Sequence, residues 1–281
     1  MSTVGPPGSP APRARPPPRR RCTLTSTPQS SAAPAIRIEG VDVEFEEAGR
    51  RVQALRGLDL EVQRGETLCL IGPSGCGKTS TLRLVNRMLE PTRGRVLVEG
   101  RDVAEADPIP LRRGIGYVIQ RGGLFPHMSV RRNVGLLCAL EDWDAARIRA
   151  RVDELLALVR MDPADYGERY PGQLSGGQAQ RVGVARALAL DPAVVLMDEP
   201  FGALDPSTRR ELQDELLELK RSVDKTVVFV THDLEEAFRL GDRVGVMSAG
   251  RLVSIGTREE LRAAPGSDEV ARYLGGEGDE S

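Results

Sequence analysis

A glycine-rich loop between an apolar segment and a helical pattern constrains the fold of this chain more than any other feature. The loop matches the G-x4-G-K-[ST] pattern, and its residues are Gly72, Pro73, Ser74, Gly75, Cys76, Gly77, Lys78 and Thr79. The apolar run 68–71 precedes it and a helical pattern starting at Ser80 follows. In that setting backbone N–H groups can surround a phosphate, and the helix N-terminus adds partial positive charge. The sequence therefore predicts that the loop and Ser80 bind nucleotide phosphates; the alternative is a glycine-rich turn without a ligand.

The lysine of this loop is one of only three in a chain that holds 36 arginines; the others are Lys220 and Lys225. Where any cation suffices, this sequence uses arginine. A planar guanidinium is bulkier than an ammonium and differently aimed, so a site that needs a compact cation among phosphates cannot readily use it. We therefore expect Lys78 to contact the β- and γ-phosphates of the nucleotide. Thr79 is expected to offer its hydroxyl to Mg²⁺, and Cys76 to fill space rather than act as a nucleophile.

Two acidic residues end the apolar run 193–197. Asp198 is the expected Mg²⁺ ligand, directly or through water. Glu199 extends one residue further and is expected to orient or deprotonate the attacking water as a general base. Hydrolysis, as opposed to nucleotide binding alone, depends on Glu199. The alternative is that both acids form a solvated strand end.

A second motif lies about twenty residues before the acidic pair and consists of Leu174, Ser175, Gly176, Gly177 and Gln178. It resembles the signature of ATP-binding cassette (ABC) ATPases, which also have a glycine-rich phosphate loop (P-loop) like the one at 72–79. The likeness covers roughly residues 36–262. Ser175 can cap the helix that begins here, and the two glycines expose N–H groups to an anion. The resemblance implies that residues 175–178 bind the γ-phosphate of ATP held by another subunit, and hence that two copies of the chain form a homodimer.

Three further residues resemble family elements. Gln120 follows the apolar run 115–119 as the Q-loop glutamine does, which implies contact with the metal and the attacking water. Asp205 resembles the D-loop residue that crosses the dimer interface near the nucleotide. His232 follows the strand 226–231 as the switch histidine does, which implies that it contacts the γ-phosphate and orients the water with Glu199. The resemblance thus implies two sets of residues, one catalytic (Lys78, Gln120, Glu199, His232) and one for Mg²⁺ (Thr79, Gln120, Asp198).

Adenine recognition falls to Phe45, since no other aromatic residue precedes the P-loop. The resemblance implies that this ring stacks on the base; the alternative is that it packs within a strand. The charged segment 46–51 is expected to form a longer hairpin tip.

Within the family, the segments 85–92, 111–120 and 123–128 look most like importers of quaternary amines, including glycine betaine, choline, carnitine and proline betaine. This implies a chain on the cytoplasmic face of the membrane, a separate integral-membrane permease and an extracytoplasmic solute-binding protein. Phe125, Met128 and Trp143 are candidate contacts for the permease, or pack within their own subdomain. Many such importers carry a C-terminal pair of regulatory CBS domains; because the chain ends at Ser281, none is expected here.

Three other functions stay open. The first is the ATPase of an exporter or of a different importer, which shares the chemistry and differs in cargo. A non-transport cassette in translation or repair is a second possibility, although such proteins usually carry two cassettes or a long coiled coil. The third is a plain P-loop phosphotransferase. The signature at 174–178 argues against it, because a kinase needs no γ-phosphate clamp from another subunit.

Composition excludes several classes of protein. Residues 1–34 hold nine Pro and five Arg without an acid, which predicts a disordered arm; a mis-assigned start codon and weak attraction to anionic lipid are alternatives. The remainder carries 34 basic and 41 acidic residues, which argues against a nucleic-acid surface. Apolar runs are too short to span a bilayer. The cysteines at 22, 69, 76 and 138 lack metal-ligand spacing, which suits reduced thiols in a cytosol.

The sequence predicts an α/β fold with a P-loop (RecA-like) ABC ATPase core at 35–265, an antiparallel β subdomain, a helical subdomain at about 121–185 and an acidic tail at 266–281. The expected parallel strands are 67–71, 115–119, 193–197, 226–231 and 243–247, and a terminal hairpin pairs 244–247 with 252–255. Antiparallel strands are expected at 36–39 and 58–62. A helix at 144–159 carries an apolar stripe of Ile148, Val152, Leu155 and Val159.

Overall fold

The computed structural model of the chain describes Met1 and residues 33–47, 50–119, 123–202, 204–266 and 270–271. Its strands are β1 (Ile36–Glu47), β2 (Arg50–Val62), β3 (Thr67–Ile71), β4 (Arg93–Val98), β5 (Arg101–Asp102), β6 (Ile115–Val118), β7 (Val194–Asp198), β8 (Thr226–Val230), β9 (Arg243–Ser248) and β10 (Arg251–Gly256). Its helices are α1 (Lys78–Val85), α2 (Pro108–Arg113), α3 (Val130–Leu140), α4 (Ala145–Leu158), α5 (Pro163–Tyr166), α6 (Gly176–Ala187), α7 (Pro206–Ser222), α8 (Leu234–Leu240) and α9 (Arg258–Ala263).

The central element is a six-stranded sheet with the strand order β10-β9-β3-β8-β7-β6. All neighbours pair in parallel except β9 and β10, which form the expected terminal hairpin. Both faces of the sheet are covered, so its inner strands are apolar throughout. Successive residues of β3 face opposite sides of the sheet: Cys69 and Ile71 belong to one hydrophobic core, the first core, whereas Leu68 and Leu70 belong to the other, the second core. The fold class expected from the sequence is confirmed.

A four-stranded antiparallel sheet, in the order β2-β1-β4-β5, closes the second core together with α1. Strand β1 begins at Ile36, the start of the predicted segment 36–39, and β2 ends at Val62, the end of the predicted segment 58–62. Both strands are far longer than those segments. Register shifts at three points along their pairing interrupt the alternation of apolar residues. The two strands pair out to Glu47 and Arg50, so the described part of the charged segment extends the hairpin, as the sequence predicts.

Helices α3, α4 and α6 cover the other face of the central sheet. The predicted stripe on α4 is core: Val152, Leu155 and Val159 are buried, and Ile148 packs against them. The carboxylate of Asp144 caps this helix. No helix in the described residues is long and apolar enough to cross a membrane.

Each predicted parallel strand is present, with ends within about one residue of the expected ones. The described residues from Ala33 onward belong to one compact unit. Residues 2–32 of the expected arm lie outside the description. So does most of the expected acidic tail, although Val270 within it is buried in the first core. Because β3, β8 and β7 are adjacent parallel strands, the segments that follow them leave the sheet at one edge, and the P-loop, Glu199 and His232 lie there, with Asp198 at the end of β7.

Candidate functional site

The P-loop follows β3 and ends in α1. Gly72 and Gly77 have backbone φ angles of 144° and 106°, which glycine adopts without steric cost. A Cβ on Gly72 would lie 2.1 Å from the carbonyl oxygen of Met247, and one on Gly77 would lie 2.6 Å from Leu55 Cδ2. Gly77 is the N-cap of α1 and has no side chain with which to cap it. The first N–H groups of α1 are therefore available to an anion.

Lys78 is nearly buried, and its ammonium lies within its own loop. Nζ donates to the carbonyl oxygen of Gly72 at 2.7 Å and to that of Pro73 at 3.1 Å, and it lies 3.8 Å from Cys76 Sγ. Cys76 is itself buried, as a space-filling residue should be. The carbonyl groups of Gly72 and Pro73 thus hold the Lys78 ammonium inside the loop whose backbone would surround a phosphate.

Thr79 and Asp198 meet across the loop and the end of β7. Thr79 Oγ1 donates to Asp198 Oδ1 at 2.9 Å. Burial raises the pKa of the Asp198 carboxyl above its ordinary value, and the hydrogen bond from Thr79 partly opposes that shift. Paired hydroxyl and carboxylate oxygens suit Mg²⁺, which binds proteins through one or two such groups and keeps water and phosphate oxygens as its other ligands. The donor set therefore fits the metal. Gln120, the third expected ligand, lies outside the described residues.

Glu199 and His232 leave neighbouring strands at the same edge. Asp198 pairs with Val230 in the ladder, and the N–H of Glu199 donates to the carbonyl oxygen of Val230 at 3.0 Å. Glu199 Oε2 lies 3.7 Å from His232 Nδ1. A carboxylate and an imidazole this close, and both partly exposed, can share one water molecule as base and orienting group.

Glu199 has a backbone φ of 44°, a left-handed conformation that costs a non-glycine residue about 1–2 kcal/mol. The N–H of Gly202 donates to the carbonyl oxygen of Glu199 and closes a tight turn that holds this conformation. Sequence reasoning missed this strain. Pro200 does not signal it, because a proline favours an extended conformation in the residue before it.

The signature begins α6 as expected. Ser175 Oγ accepts from the N–H of Gln178, whose side chain accepts from the N–H of Ser175, so the two form a capping box. Gly177 is buried, and a Cβ there would lie 2.5 Å from Thr208 Cγ2 of α7. Within the described residues, the side-chain hydrogen bonds of the signature join it to itself and to Tyr166, not to the P-loop of the same chain.

Asp205 has a structural role that the sequence did not indicate. Its carboxylate accepts from Ser207 Oγ at 2.6 Å and from the N–H of Thr208 at 3.1 Å, and so caps α7. These bonds hold the pKa of Asp205 well below its usual range. Its contact with a nucleotide stays a prediction.

Phe45 lies on β1 opposite Val52, and both side chains are about two-fifths exposed. Strand β2 also carries Leu55, which contacts the P-loop at Gly77, so the hairpin flanks the phosphate site. The ring is thus not buried within the sheet, and stacking on adenine stays a prediction.

The three candidate permease contacts differ in exposure. Phe125 is 41% exposed, whereas Met128 and Trp143 are half-buried. The guanidinium of Arg147 lies 3.5 Å from the centre of the Trp143 ring, and Trp143 packs on the first core. Packing within the subdomain therefore accounts for Trp143, while Phe125 offers an apolar surface.

Comparison with known proteins yields related sequences over most of the chain. Glycine betaine/carnitine/choline transport ATP-binding protein OpuCA of Bacillus subtilis is 50% identical over 225 residues, which cover 80% of this chain and 59% of OpuCA. Glycine betaine uptake system ATP-binding protein YehX of Escherichia coli is 46% identical, covering 79% of this chain and 72% of YehX. Sulfate/thiosulfate import ATP-binding protein CysA 2 of Agrobacterium fabrum is 45% identical, with coverage of 85% and 69%.

Solved structures agree with the fold. The dimeric structure of MJ0796, a bacterial ABC transporter cassette, matches with a TM-score of 0.72 at 32% identity and covers 79% of this chain and 98% of that one. A dimeric post-hydrolysis state of MJ0796 bound to ADP and Pi matches with a TM-score of 0.72 at 31% identity and the same coverage.

The model of the ABC transporter family matches residues 55–202. This span contains the P-loop, the signature and the acidic pair at the end of β7, and it amounts to more than half of the sequence. Since YehX also shares 46% of its residues with this chain over 72% of its own length, the chain belongs to the ABC transporter family.

Proposed function

We propose that this chain is the ATP-hydrolysing subunit of an ABC importer and couples Mg-ATP binding and hydrolysis to solute uptake through a separate membrane permease. One observation carries the proposal. Asp198, Glu199 and His232 meet where two neighbouring strands end beside the P-loop, with 2.9 Å from Thr79 Oγ1 to Asp198 Oδ1 and 3.7 Å from Glu199 Oε2 to His232 Nδ1. The chain spans 59% of the length of OpuCA, so the activity of a whole relative comes to it only as part of this proposal.

Each side chain of the site has one proposed role in ATP hydrolysis. Lys78 exchanges its two carbonyl partners for the β- and γ-phosphates, which the first N–H groups of α1 also bind. Glu199 accepts a proton from the water that attacks the γ-phosphorus, while the bond from this phosphorus to the β-phosphate oxygen breaks and ADP leaves. His232 orients the same water. Thr79 and Asp198, with Gln120, would hold Mg²⁺, which would supply charge neutralisation at the phosphates.

The complete site includes a second copy of the chain. The start of α6 exposes Ser175 and Gly176, and within the described residues the side-chain hydrogen bonds of the signature run within its own copy and not to its own P-loop. A helix start of this kind binds anions, so it is placed to clamp the γ-phosphate held by a partner. The MJ0796 cassette is dimeric, which supports a homodimer. Asp205 lies at that interface, and Phe45 stacks on the adenine.

Quaternary amines are the proposed solute class. The names of OpuCA and YehX specify glycine betaine, carnitine and choline, which supports the assignment for this chain. The proposal places the chain on the cytoplasmic face of the membrane, bound to a permease that receives solute from an extracytoplasmic binding protein. A sulfate importer is the second candidate, because CysA 2 is 45% identical over a longer span of 243 residues.

Uptake in cells that produce the protein tests the proposal. The gene is altered to give Glu199→Gln, and the matched control is Glu211→Gln, the same change at an exposed position on α7. We expect Glu199→Gln to abolish uptake of labelled glycine betaine, choline or carnitine and to leave sulfate uptake unchanged. Loss of sulfate uptake alone would favour the second candidate. Full uptake of every solute by cells that carry Glu199→Gln would contradict the importer proposal.

A further inference from the structure

A buried polar cluster lies next to His232 and contains none of the residues proposed to act on ATP. It consists of Gln213, Thr231 and Glu236, which are 7%, 2% and 4% exposed. Removing a carboxylate from water is costly unless hydrogen bonds replace its hydration. Burial raises the pKa of Glu236, and the hydrogen bonds from Thr231 and Gln213 oppose that shift. The carboxylate is thus a stability cost that the fold offsets through two specific bonds.

Each carboxylate oxygen of Glu236 has its own partner. Oε2 accepts from the Thr231 hydroxyl, and Oε1 accepts from Gln213 Nε2 at 2.9 Å. The Thr231 hydroxyl oxygen also accepts from the N–H of Asp233 at 3.1 Å. Thr231 is therefore bonded to the buried carboxylate and Asp233 is bonded to Thr231, so the residues on both sides of His232 are linked to Glu236, while the imidazole itself is largely exposed.

The other end of the cluster belongs to α7. Gln213 Oε1 accepts from Arg239 Nη1 at 2.9 Å, which leaves its amide N–H groups to face Glu236. Arg209, one turn earlier on α7, lies 3.5 Å from the Asp233 carboxylate. The helix is capped at its start by Asp205. A rigid element thus connects the segment after Glu199 to the segment that carries His232.

We propose that Glu236 is a positioning residue that fixes His232 to α7, so that His232 and the Asp205 segment move as one body when a second cassette docks. The inference rests on the proposed role of His232 in orienting the attacking water. A displacement of about 1 Å can cost about a hundredfold in rate, so a group that holds the backbone at 231–233 controls catalysis without touching ATP.

His232 can be observed directly, because the chain has only two histidines and the other, His127, lies against Phe125 on a different loop. NMR of histidine-labelled protein gives one ring signal for each. We expect Glu236→Ala to shift or split the His232 signal and to leave the His127 signal in place. The control is Glu235→Ala, which removes an exposed carboxylate from the same first turn of α8 and should move neither signal. Glu236→Gln, which keeps the size of the side chain and one acceptor, gives a smaller change in the same signal and carries the test if the alanine variant does not fold.

Turnover supplies the second readout. Glu236→Ala should lower the kcat for ATP hydrolysis by at least about tenfold with the KM for ATP within about twofold, since it acts through orientation of the water rather than through binding. In a His232→Ala background the same change should cause no further loss.

Unchanged NMR signals in both Glu236 variants, or an equal loss of kcat in the parent and His232→Ala backgrounds, would overturn the inference. So would a lowered unfolding temperature with parental kcat at temperatures where the variant is folded. Parental turnover by His232→Ala would overturn the role of His232 as well, which separates failure of the proposed function from failure of this inference alone.

Discussion

At the scale of single residues, burial decides which chemistry each side chain of the site can perform. Lys78 is 7% exposed in a chain that holds 36 arginines and only three lysines, and its ammonium lies within hydrogen-bonding distance of two backbone carbonyls. Asp198 is 8% exposed and carries a penalty for ionisation that metal binding would relieve. Both residues are therefore set for a ligand that supplies charges opposite to their own.

Lys78→Arg should weaken ATP binding by at least about tenfold, or about 1.4 kcal/mol, because the guanidinium does not fit where the ammonium lies. The measurement is a titration with a fluorescent ATP analogue. Lys220→Arg is the control, because Lys220 pairs with Asp242 at a partly exposed position. This variant should bind the analogue with the affinity of the parent. Parental affinity in Lys78→Arg would show that the loop needs only a positive charge.

Asp198→Asn should raise the stability of the nucleotide-free protein. The folded-state pKa of Asp198 is raised above 3.8, so the parent loses stability as the pH rises through that raised value, whereas Asn does not titrate. A gain of about 1 kcal/mol raises the unfolding temperature of a protein this size by about 2–4 °C. The gain should shrink as the pH is lowered toward 3.8. Thermal unfolding across this range measures it.

The opposite sign is expected for Asp191→Asn. Lys225 lowers the pKa of Asp191, so the charge of Asp191 stabilises the fold at pH values above the pKa that Asp191 has in the unfolded chain. The loss of stability in Asp191→Asn should be small because the carboxylate is exposed. A lower unfolding temperature for Asp198→Asn at neutral pH would contradict the account, since nearby cations would then outweigh burial.

At the scale of elements, the contact between α6 and α7 joins the signature to the segment after Glu199. The two helices leave no room for a side chain at Gly177, where a Cβ would lie 2.5 Å from Thr208 Cγ2. Gly183 lies on the same helix, and a Cβ there would meet nothing within 4 Å. The two glycines therefore allow packing and helix propensity to be separated within one helix.

Gly177→Ala should lower the free energy of unfolding by about 1–3 kcal/mol because it forces α6 from α7. Gly183→Ala should instead raise it by up to about 1 kcal/mol, the usual advantage of alanine within a helix. Adding Thr208→Ser to Gly177→Ala removes the clashing methyl group and should restore part of the loss. Chemical denaturation measures all three. Equal effects of the two glycine substitutions would contradict this packing.

Elements with a single dominant pattern could be predicted from the sequence. The parallel strands are continuous apolar runs, and α4 has a clear stripe, so their positions were predicted to within about one residue. Strands β1 and β2 were underestimated, because register shifts break the alternation and the residues around Phe45 are exposed and charged. The positions of the P-loop, Asp198 and Glu199 relative to the sheet could be predicted because each lies at the end of an apolar strand.

Other features needed the three-dimensional structure. The left-handed backbone of Glu199 arises from a turn and a ladder bond that no local pattern specifies. The contact of Glu236 with Gln213 joins residues 23 positions apart on two helices, and periodicity does not show which polar faces of two helices meet. The resemblance of Asp205 to the D-loop residue is the only basis for expecting it at the dimer interface. Its hydrogen bonds, which the sequence does not predict, also make it the N-cap of α7.

At the scale of the whole molecule, the account requires two copies to complete each site. Gly176 is exposed at the start of α6, and a Cβ there would meet only Leu204 Cδ2, at 3.4 Å, so a side chain at this position should disturb its own copy little. A carboxylate at this position would repel a phosphate that approaches the helix N-terminus. Gly176→Glu should therefore prevent dimerisation with Mg-ATP while leaving the unfolding temperature close to that of the parent. Light scattering with and without Mg-ATP measures this.

The central claim is that Glu199 is the base of a site shared between two cassettes. The most direct measurement is ATP turnover and Mg-ATP-dependent dimerisation of purified Glu199→Gln beside the parent chain. The account predicts that turnover falls by at least about a hundredfold and that the variant accumulates as an ATP-bound dimer, because binding is intact and hydrolysis is not. A variant that stays monomeric and hydrolyses ATP at the parental rate would contradict both the role of Glu199 and the shared site.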